Sequence, residues 1–365
     1  MSKKILLLLH TPPPFGGGEI QAQNLKEYLR KRETYIIYDY ARESLTRKKQ
    51  GRFNLANIGF GFYWIWHSAL LLLKHRPSKI YFTLPKGYFA FLRNGIIILL
   101  SRILKVKVLG ELPGTSFLFL AHERSFQSRS GAFLLRQVDE IRFLSQTIAA
   151  MHERYHLKKS IVIDNGVFVP ENLQVNASVF AEPVLPLLYV GSICYSKGIF
   201  NSLQAMKICR EANLTVHFNI VGLWENDAEK RQAEDFIEEN KLTDMITFHG
   251  QKLADEKWQL FSRNAVLLHP TYWDGVPLSI LEAFGLGLGV ISTRVGGIPD
   301  IMSDGINGIL LEVSDPLKIF NAIAELHRDR ERLKCISEAN RELFASRFGL
   351  ERFLLNMRTW FEKED

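Results

Sequence analysis

Asp274 and Glu282 stand eight positions apart in the run Pro270-Thr-Tyr-Trp-Asp-Gly-Val-Pro-Leu-Ser-Ile-Leu-Glu-Ala283, which reads as a turn opening a helix. Pro277 has no N–H to lose in a first helical turn, so Asp274 and Gly275 belong to the preceding loop and Glu282 lies about one and a half turns along the helix. Amides at such an N-terminus lack intrahelical partners and suit a diphosphate. A carboxylate accepts from two vicinal hydroxyls, so one acid can hold a ribose diol and the other the hydroxyls of a second sugar. The combination describes a sugar-nucleotide site. The plainer alternative is a helix cap at Asp274 and a surface acid at Glu282.

Other runs bear on the same chemistry. Pro12-Pro-Pro-Phe-Gly16-Gly-Gly18-Glu19-Ile20 is a glycine-rich turn feeding a helix near Glu19, where backbone amides can approach a ligand. It does not fit the dinucleotide fingerprint G-x-G-x-x-G. Leu187-Leu-Tyr-Val-Gly191-Ser-Ile-Cys-Tyr-Ser-Lys197-Gly198 reads as a strand, a short loop and a lysine where a new helix starts. A lysine beside helix amides can neutralise a leaving diphosphate; an exposed loop lysine is the alternative. Phe218-Asn-Ile-Val-Gly222, Phe248-His-Gly250 and Arg294-Val-Gly296-Gly297-Ile-Pro299-Asp300 follow in order. No acidic D-x-D pair suited to a divalent ion accompanies them, so neither metal nor cofactor is expected.

The elements that must position these residues alternate between apolar strand-like runs and helical stretches, which argues for parallel sheets. Strands are expected at Ile5 to Leu9, Tyr35 to Tyr38, Ile80 to Phe82, Val106 to Leu109, Glu140 to Leu144 and Ser160 to Ile163. A second set is expected at Leu187 to Val190, Thr215 to Val221, Ile246 to His249, Ala265 to His269, Gly289 to Ser292 and Gly308 to Leu311. With 365 residues and 47% apolar content, the chain is expected to form two Rossmann-like α/β domains. Their boundaries fall at residues 1–175 and 183–347, with a connection across Val169 to Pro186, where Pro170, Pro183 and Pro186 interrupt the pattern.

Cys194, Cys209 and Cys335 show neither metal-ligand spacing nor a disulfide framework, and the start of the chain reads as a buried strand rather than a signal peptide. A cytoplasmic location follows as the expectation. Residues 1–180 carry 26 Lys and Arg against 12 Asp and Glu, a balance of +14, and residues 181–365 carry 20 against 27. Such a front half favours an anionic partner: a membrane surface, a lipid-linked phosphate or nucleic acid. No zinc-finger spacing, RNA-recognition signature or basic zipper supports nucleic acid. Two apolar stretches, Phe60 to Leu73 with Tyr63, Trp64 and Trp66, and Gly95 to Leu104, are too short to span a bilayer. They read as buried or half-buried helices, or as an interfacial surface beside Lys74, His75 and Arg76 or Lys86 and Arg93.

In motif order the chain resembles the retaining glycosyltransferases of GT-B fold, glycosyltransferase family 4, over nearly its full length. The Gly16 to Glu19 turn, Asp164-Asn165-Gly166-Val167, the Gly191 to Gly198 loop, the acid-x7-acid pair and Gly296-Gly297-x-Pro299-Asp300 carry the resemblance. It implies two Rossmann-like domains facing a central cleft, the first for the acceptor and the second for the nucleotide-sugar donor, with a helix at 348–365 crossing back to the first. By the same resemblance Lys197 contacts the donor pyrophosphate, Asp274 the transferred sugar and Glu282 the ribose. Gly191, Ser192, Gly250 and the segment Gly275, Val276, Pro277 and Leu278 complete the donor side; Gly16, Gly17, Gly18, Glu19 and Asn165 line the acceptor side. Three positions depart from the family pattern: Asp274 stands for the usual glutamate, Ser192 for an arginine, and Pro113 for a histidine before Gly114. The implied activity is transfer with retention to a glycan or lipid-linked acceptor in cell-surface polysaccharide assembly, at the inner face of an anionic membrane. A nucleotide-sugar epimerase of the same fold and a non-catalytic homologue in a glycan-assembly complex are the rival readings.

Overall fold

The computed structural model describes residues 4–13, 15–40, 55–115, 117, 120 and 125–364; Pro14 of the proline run and Asp365 of the expected final helix lie outside them. The chain divides into two compact units, residues 1–165 with 353–365, and residues 166–352. In the first, strands β1 (Ile5–Leu9), β2 (Tyr35–Asp39), β3 (Lys79–Thr83), β4 (Lys107–Glu111), β5 (Glu140–Phe143) and β6 (Ser160–Val162) form one parallel sheet in the order β2-β1-β3-β4-β5-β6. Helices α1 (Gly17–Leu29), α2 (Leu55–His75), α3 (Tyr88–Ile103), α4 (Phe126–Leu135) and α5 (Gln146–Ala150) fall between them. In the second, β7 (Leu185–Val190), β8 (Val216–Val221), β9 (Ile246–Gly250), β10 (Val266–His269), β11 (Gly289–Thr293) and β12 (Gly308–Leu311) form a parallel sheet in the order β12-β11-β10-β7-β8-β9. Its helices are α6 (Ile199–Glu211), α7 (Asp227–Glu239), α8 (Ala254–Ser262), α9 (Leu278–Leu286), α10 (Ile298–Ile301), α11 (Pro316–Arg328) and α12 (Arg330–Leu343); α13 (Leu350–Glu362) ends the chain.

Burial explains why these runs become strands. β1 is Ile-Leu-Leu-Leu-Leu and buried at every position, as a strand covered by helices on both faces must be. The same holds for β10 and β11. Read from β7, the second sheet has the Rossmann order, stepping outward through β8 and β9 and then returning to β10 on the other side of β7. The chain therefore reverses direction between β7 and β10, and ligands of open α/β sheets bind at the carboxyl ends of such a pair.

The unit boundaries differ from those read in the sequence: the second unit spans 166–352 rather than 183–347, and the returning segment begins at 353 rather than 348. The first unit ends at Asn165, ten residues before the expected 175, because the following backbone is already paired within the second unit. Val167 N–H donates to Phe348 O at 2.9 Å, Val175 N–H to Leu286 O at 2.9 Å and Asn176 N–H to Ser262 O at 2.9 Å. Pro186 lies inside β7 rather than in a linker. Leu185 N–H donates to Thr215 O of the β8 side, so alternation turns the Pro186 nitrogen toward β10, whose pairing with β7 begins only at Leu187. At the other end residues 353–365 group with the first unit, where Lys79 Nζ donates to Phe361 O at 3.0 Å and Tyr35 Oη to Glu362 Oε1 at 2.8 Å.

The apolar stretches are helices with two unlike faces. Trp64, Ser68 and Leu72 make the buried stripe of α2, while Phe62, Tyr63, Trp66, Leu70 and Leu73 are exposed. Trp64 is wholly buried, with the Arg93 guanidinium 4.6 Å from its ring centroid, as the buried-helix reading has it. On α3, Phe91, Ile97 and Ile98 face inward and Phe89, Ile96, Leu99 and Ile103 outward. Among the described residues no helix is long and apolar enough to cross a membrane.

Candidate active site

Two loops leave the carboxyl ends of β7 and β10 at the reversal point. The first, Gly191 to Gly198, includes a short 3-10 turn, Tyr195–Lys197, and the second runs from Pro270 to Pro277. Ser196 O accepts from Tyr272 N–H at 2.9 Å and from Thr271 Oγ1 at 3.1 Å, which ties one loop to the other. Gly198, at φ +75°, lies so close to the second loop that a Cβ there would meet Pro270 O at 2.0 Å, so only glycine fits. β11 holds the second loop from its other side: Ser292 Oγ donates to His269 O at 2.8 Å and Thr293 Oγ1 donates to Thr271 O.

These constraints bring Lys197 against Asp274. Its ammonium donates to Asp274 Oδ2, and both side chains remain partly open, at 24% and 19% exposure. The same oxygen lies 3.2 Å from His269 Nε2, and Asp274 Oδ1 accepts the Gly275 N–H at 3.0 Å. Burial alone would raise the Asp274 carboxyl, but the His269 hydrogen bond and the Lys197 charge outweigh it and hold the group well below the usual carboxylate range. His269 is pushed down by burial and is neutral at pH 7. Pro277 takes the N-cap position of α9 rather than its first turn, with φ −64°, and Gly275 O accepts from Gly297 N–H at 2.8 Å. The Gly296-Gly297 motif thus braces the loop from which Asp274 projects. The first amides of α9 are those of Leu278 and its successors, and they carry the helix's positive end.

Glu282 sits on α9, buried, about one and a half helical turns beyond the N-cap. Its Oε1 accepts from Lys257 Nζ of α8 at 2.6 Å, while the same ammonium lies 4.5 Å from the Trp258 ring centroid. Burial raises the Glu282 carboxyl and Lys257 opposes that rise. Glu282 is thus a buried acceptor with one cation beside it, rather than the solvated surface acid of the plainer reading.

The remaining expected positions distribute unevenly. Gly191 follows β7 directly, its N–H donating to Val221 O at 3.0 Å, and Ser192 O accepts from Tyr189 Oη at 2.6 Å. Gly250 closes β9, two strands away from β7, at φ +66° with open space where a Cβ would stand. In the first unit, Gly16 to Glu19 follow β1 at that sheet's own reversal point, between β1 and β3, with Gly17 opening α1 two residues ahead of Glu19. A Cβ on Gly18 would lie 3.9 Å from Pro113, so the turn and the Pro113 position are neighbours. Asn165 is different: it is buried and its Oδ1 accepts from Arg142 Nη2 at 2.9 Å, so it serves the core of the unit. Three residues of the site were missed in the sequence. Lys257 and Tyr189 carry no local signal; His269 closes an apolar strand just ahead of Asp274 and was legible as a polar residue at a strand end.

Residues 173–343 match the family described as Glycosyl transferases group 1. An uncharacterized glycosyltransferase, MJ1178 of Methanocaldococcus jannaschii, is 25% identical over 99% of this chain and 98% of its own. The lipopolysaccharide 1,2-N-acetylglucosaminetransferase of Salmonella typhimurium is 28% identical over 53% of this chain and 53% of its own. Among solved structures, Anabaena HepE in complex with UDP-glucose superposes with a TM-score of 0.75 at 15% identity, covering 98% of both chains. Residues 173–343 thus match the group 1 glycosyltransferases, and the chain as a whole has the GT-B fold.

Proposed function

We propose that the chain moves a sugar from a nucleoside diphosphate donor to a glycan or lipid-linked acceptor, with retention at the anomeric carbon and without a metal ion, in the assembly of a cell-surface polysaccharide. The observation that carries this reading is the Lys197–Asp274 pair at the reversal point of the second sheet, beside the N-terminus of α9. In the reaction the bond from the anomeric carbon to the diphosphate breaks with its electron pair going to the phosphate oxygen. The acceptor oxygen bonds to the same face and its proton passes to the departing diphosphate. The protein's task is then charge stabilisation and positioning. Lys197 and the α9 amides meet the growing negative charge, Asp274 holds the sugar hydroxyls, and Glu282 takes the ribose diol. The likeness to a UDP-glucose-bound structure supports a nucleotide-sugar donor, and the kinship with a lipopolysaccharide transferase supports the acceptor class. The metal-free reading rests on the sequence, which has no acidic D-x-D pair suited to a divalent ion beside the other motifs. The test is a panel of nucleotide sugars with a membrane-lipid extract as acceptor, with and without chelator. Acceptor-dependent release of nucleoside diphosphate from one donor is expected, unchanged by chelator, with the product's anomeric configuration equal to the donor's. A changed free sugar would instead indicate an epimerase, and no binding to any donor a non-catalytic homologue.

Glu282 and Lys257 give a sharper check on the donor. Glu282→Gln is expected to weaken nucleotide binding about tenfold, as the loss of a charged acceptor for a diol does. In Lys257→Met the buried carboxyl loses the cation that opposes its rise, so nucleotide affinity falls, as the pH is lowered, at a higher pH than in the wild type. Calorimetric titration between about pH 5 and pH 9 resolves the difference. Equal affinity in Glu282→Gln and wild type counts against the ribose role.

The first unit also supports peripheral contact with an anionic membrane. Phe62 and Trp66 on α2, and Phe89 and Ile103 on α3, are each at least two-thirds exposed. Exposed Lys74, Arg76, Lys105, Arg129 and Arg136 lie on or just beyond these helices and α4. Apolar side chains bordered by cations fit the boundary between acyl chains and acidic headgroups. Flotation with phosphatidylglycerol vesicles is expected to show binding that weakens in high salt and falls about tenfold in the double variant Phe62→Ser, Trp66→Ser. Indifference to lipid and salt would exclude it.

A further inference from the structure

We propose that His269 is a positioning residue, whose Nε2–H keeps the Asp274 carboxylate in its working pose once a donor diphosphate has drawn Lys197 away. This rests on the reading of Lys197 and Asp274 as the groups that meet the diphosphate and the transferred sugar. Asp274 Oδ2 accepts from two donors at once, the Lys197 ammonium and His269 Nε2. The diphosphate carries more charge than the carboxylate, so donor binding draws the Lys197 ammonium toward itself and weakens its bond to Asp274. Without His269 the carboxylate would then retain only its short hydrogen bond to the neighbouring Gly275 amide, at 3.0 Å, and would be free to turn.

His269 is built to hold it. The residue ends β10, is 3% exposed, and has its backbone oxygen fixed by Ser292 Oγ. Its ring stacks on Tyr189 at 6.2 Å and 19°, and the Tyr189 hydroxyl is bonded to Ser192 O of the other loop. Nδ1 is buried and has no hydrogen-bond partner among the described residues, so the ring proton belongs on Nε2, the nitrogen that faces Asp274. The charged groups that face the imidazole are Asp274 and Lys197, the first favouring and the second opposing its protonation, and burial keeps it neutral. A neutral donor is what the task needs, since an imidazolium would compete for the charge that Asp274 offers to sugar hydroxyls. The residue also bears on the departure at Asp274: a carboxylate one methylene shorter than the usual glutamate is anchored from beneath by a donor at the strand end.

The test uses the full chain and the donor found in the panel. His269→Leu is expected to lower kcat about ten- to a hundredfold, the scale of a misplaced catalytic group, while donor KM and the Kd for uridine or guanosine diphosphate stay within about twofold. His269→Gln, whose amide N–H reaches the place of ring Nε2, is expected to recover kcat to within about fivefold of wild type. In nitrogen-resolved NMR the ring is expected as the single Nε2–H tautomer, its proton resonance shifting when nucleoside diphosphate is added to the wild type but not to Lys197→Ala. A leucine variant with wild-type kcat overturns the proposal, and so do leucine and glutamine variants that lose kcat and thermal stability alike, which is the pattern of packing alone. If Lys197→Ala and Asp274→Asn keep full turnover, the reading of the site itself fails and the proposal falls with it; loss in those two with no loss in His269→Leu removes only the proposal.

Discussion

Asp274→Asn is expected to lower kcat by about two to three orders of magnitude while the Kd for nucleoside diphosphate stays within about threefold. The split follows from what the carboxylate touches. Its oxygens face Lys197, His269 and the Gly275 amide, and the donor's nucleotide contacts are assigned elsewhere, to Glu282 and the α9 amides. An amide retains the shape but offers one acceptor oxygen where two donors converge, and its own N–H groups face cation or imidazole if it turns. The charge that orients sugar hydroxyls as positive charge builds at the anomeric carbon is lost as well. Release of the lysine from its ion pair partly offsets any loss of diphosphate affinity, so binding holds or tightens slightly. Calorimetry with nucleoside diphosphate and steady-state kinetics with the donor separate the two terms. Equal losses in Kd and kcat would assign Asp274 to ground-state binding instead.

The expected behaviour of Asp274 was open to sequence reasoning because the run around it is local. A proline that cannot continue a strand, a glycine before it and an apolar helix after it fix loop and helix within a few residues. The twelve strands were legible for a related reason: strands buried on both faces, such as Ile5–Leu9, need every residue apolar, and such runs stand out against amphipathic helices. What escaped depends on partners distant in the chain. Lys257 meets Glu282 from another helix, and nothing in its own neighbourhood separates it from other helical lysines. Asn165 was given to the acceptor side by motif resemblance, which carries nothing about the Arg142 guanidinium that reaches it from β5. Composition left two readings of the Trp64 stretch open, and helix geometry separates them: Tyr63, Trp64 and Trp66 lie within four residues, and at about 100° per residue they cannot share one face. The stripe Trp64, Ser68, Leu72 with period four was the better guide.

Arg142→Met is expected to destabilise the first unit by about 3–5 kcal/mol, the cost of removing one partner of a buried ion pair. Arg142 is fully buried at the carboxyl end of that unit's sheet, with Nη1 at 2.8 Å from Glu111 Oε2 and two nitrogens donating to Ile163 O at 3.0 and 2.8 Å. Nη2 also donates to Asn165 Oδ1, and the Tyr81 hydroxyl donates to Glu111. The guanidinium lies 5.1 Å from the Phe353 ring centroid, so the same group reaches the C-terminal segment that completes the unit. Methionine fills much of the volume but leaves a buried carboxylate with only a phenol, and strands Ile163 O and Asn165 Oδ1 without their donor. The double variant Arg142→Met, Glu111→Leu is expected to recover most of the loss, because an apolar pair of similar volume has no charge to desolvate. Thermal unfolding followed by calorimetry is the measure, since a chain of two units is expected to show more than one transition and only that of the first should move, by roughly 10 °C. A single variant as stable as wild type would mean that the pair's attraction barely exceeds its desolvation. A double variant no better than the single would place the cost in the bonds to Ile163 and Asn165, and so in the segment through which the chain leaves the first sheet.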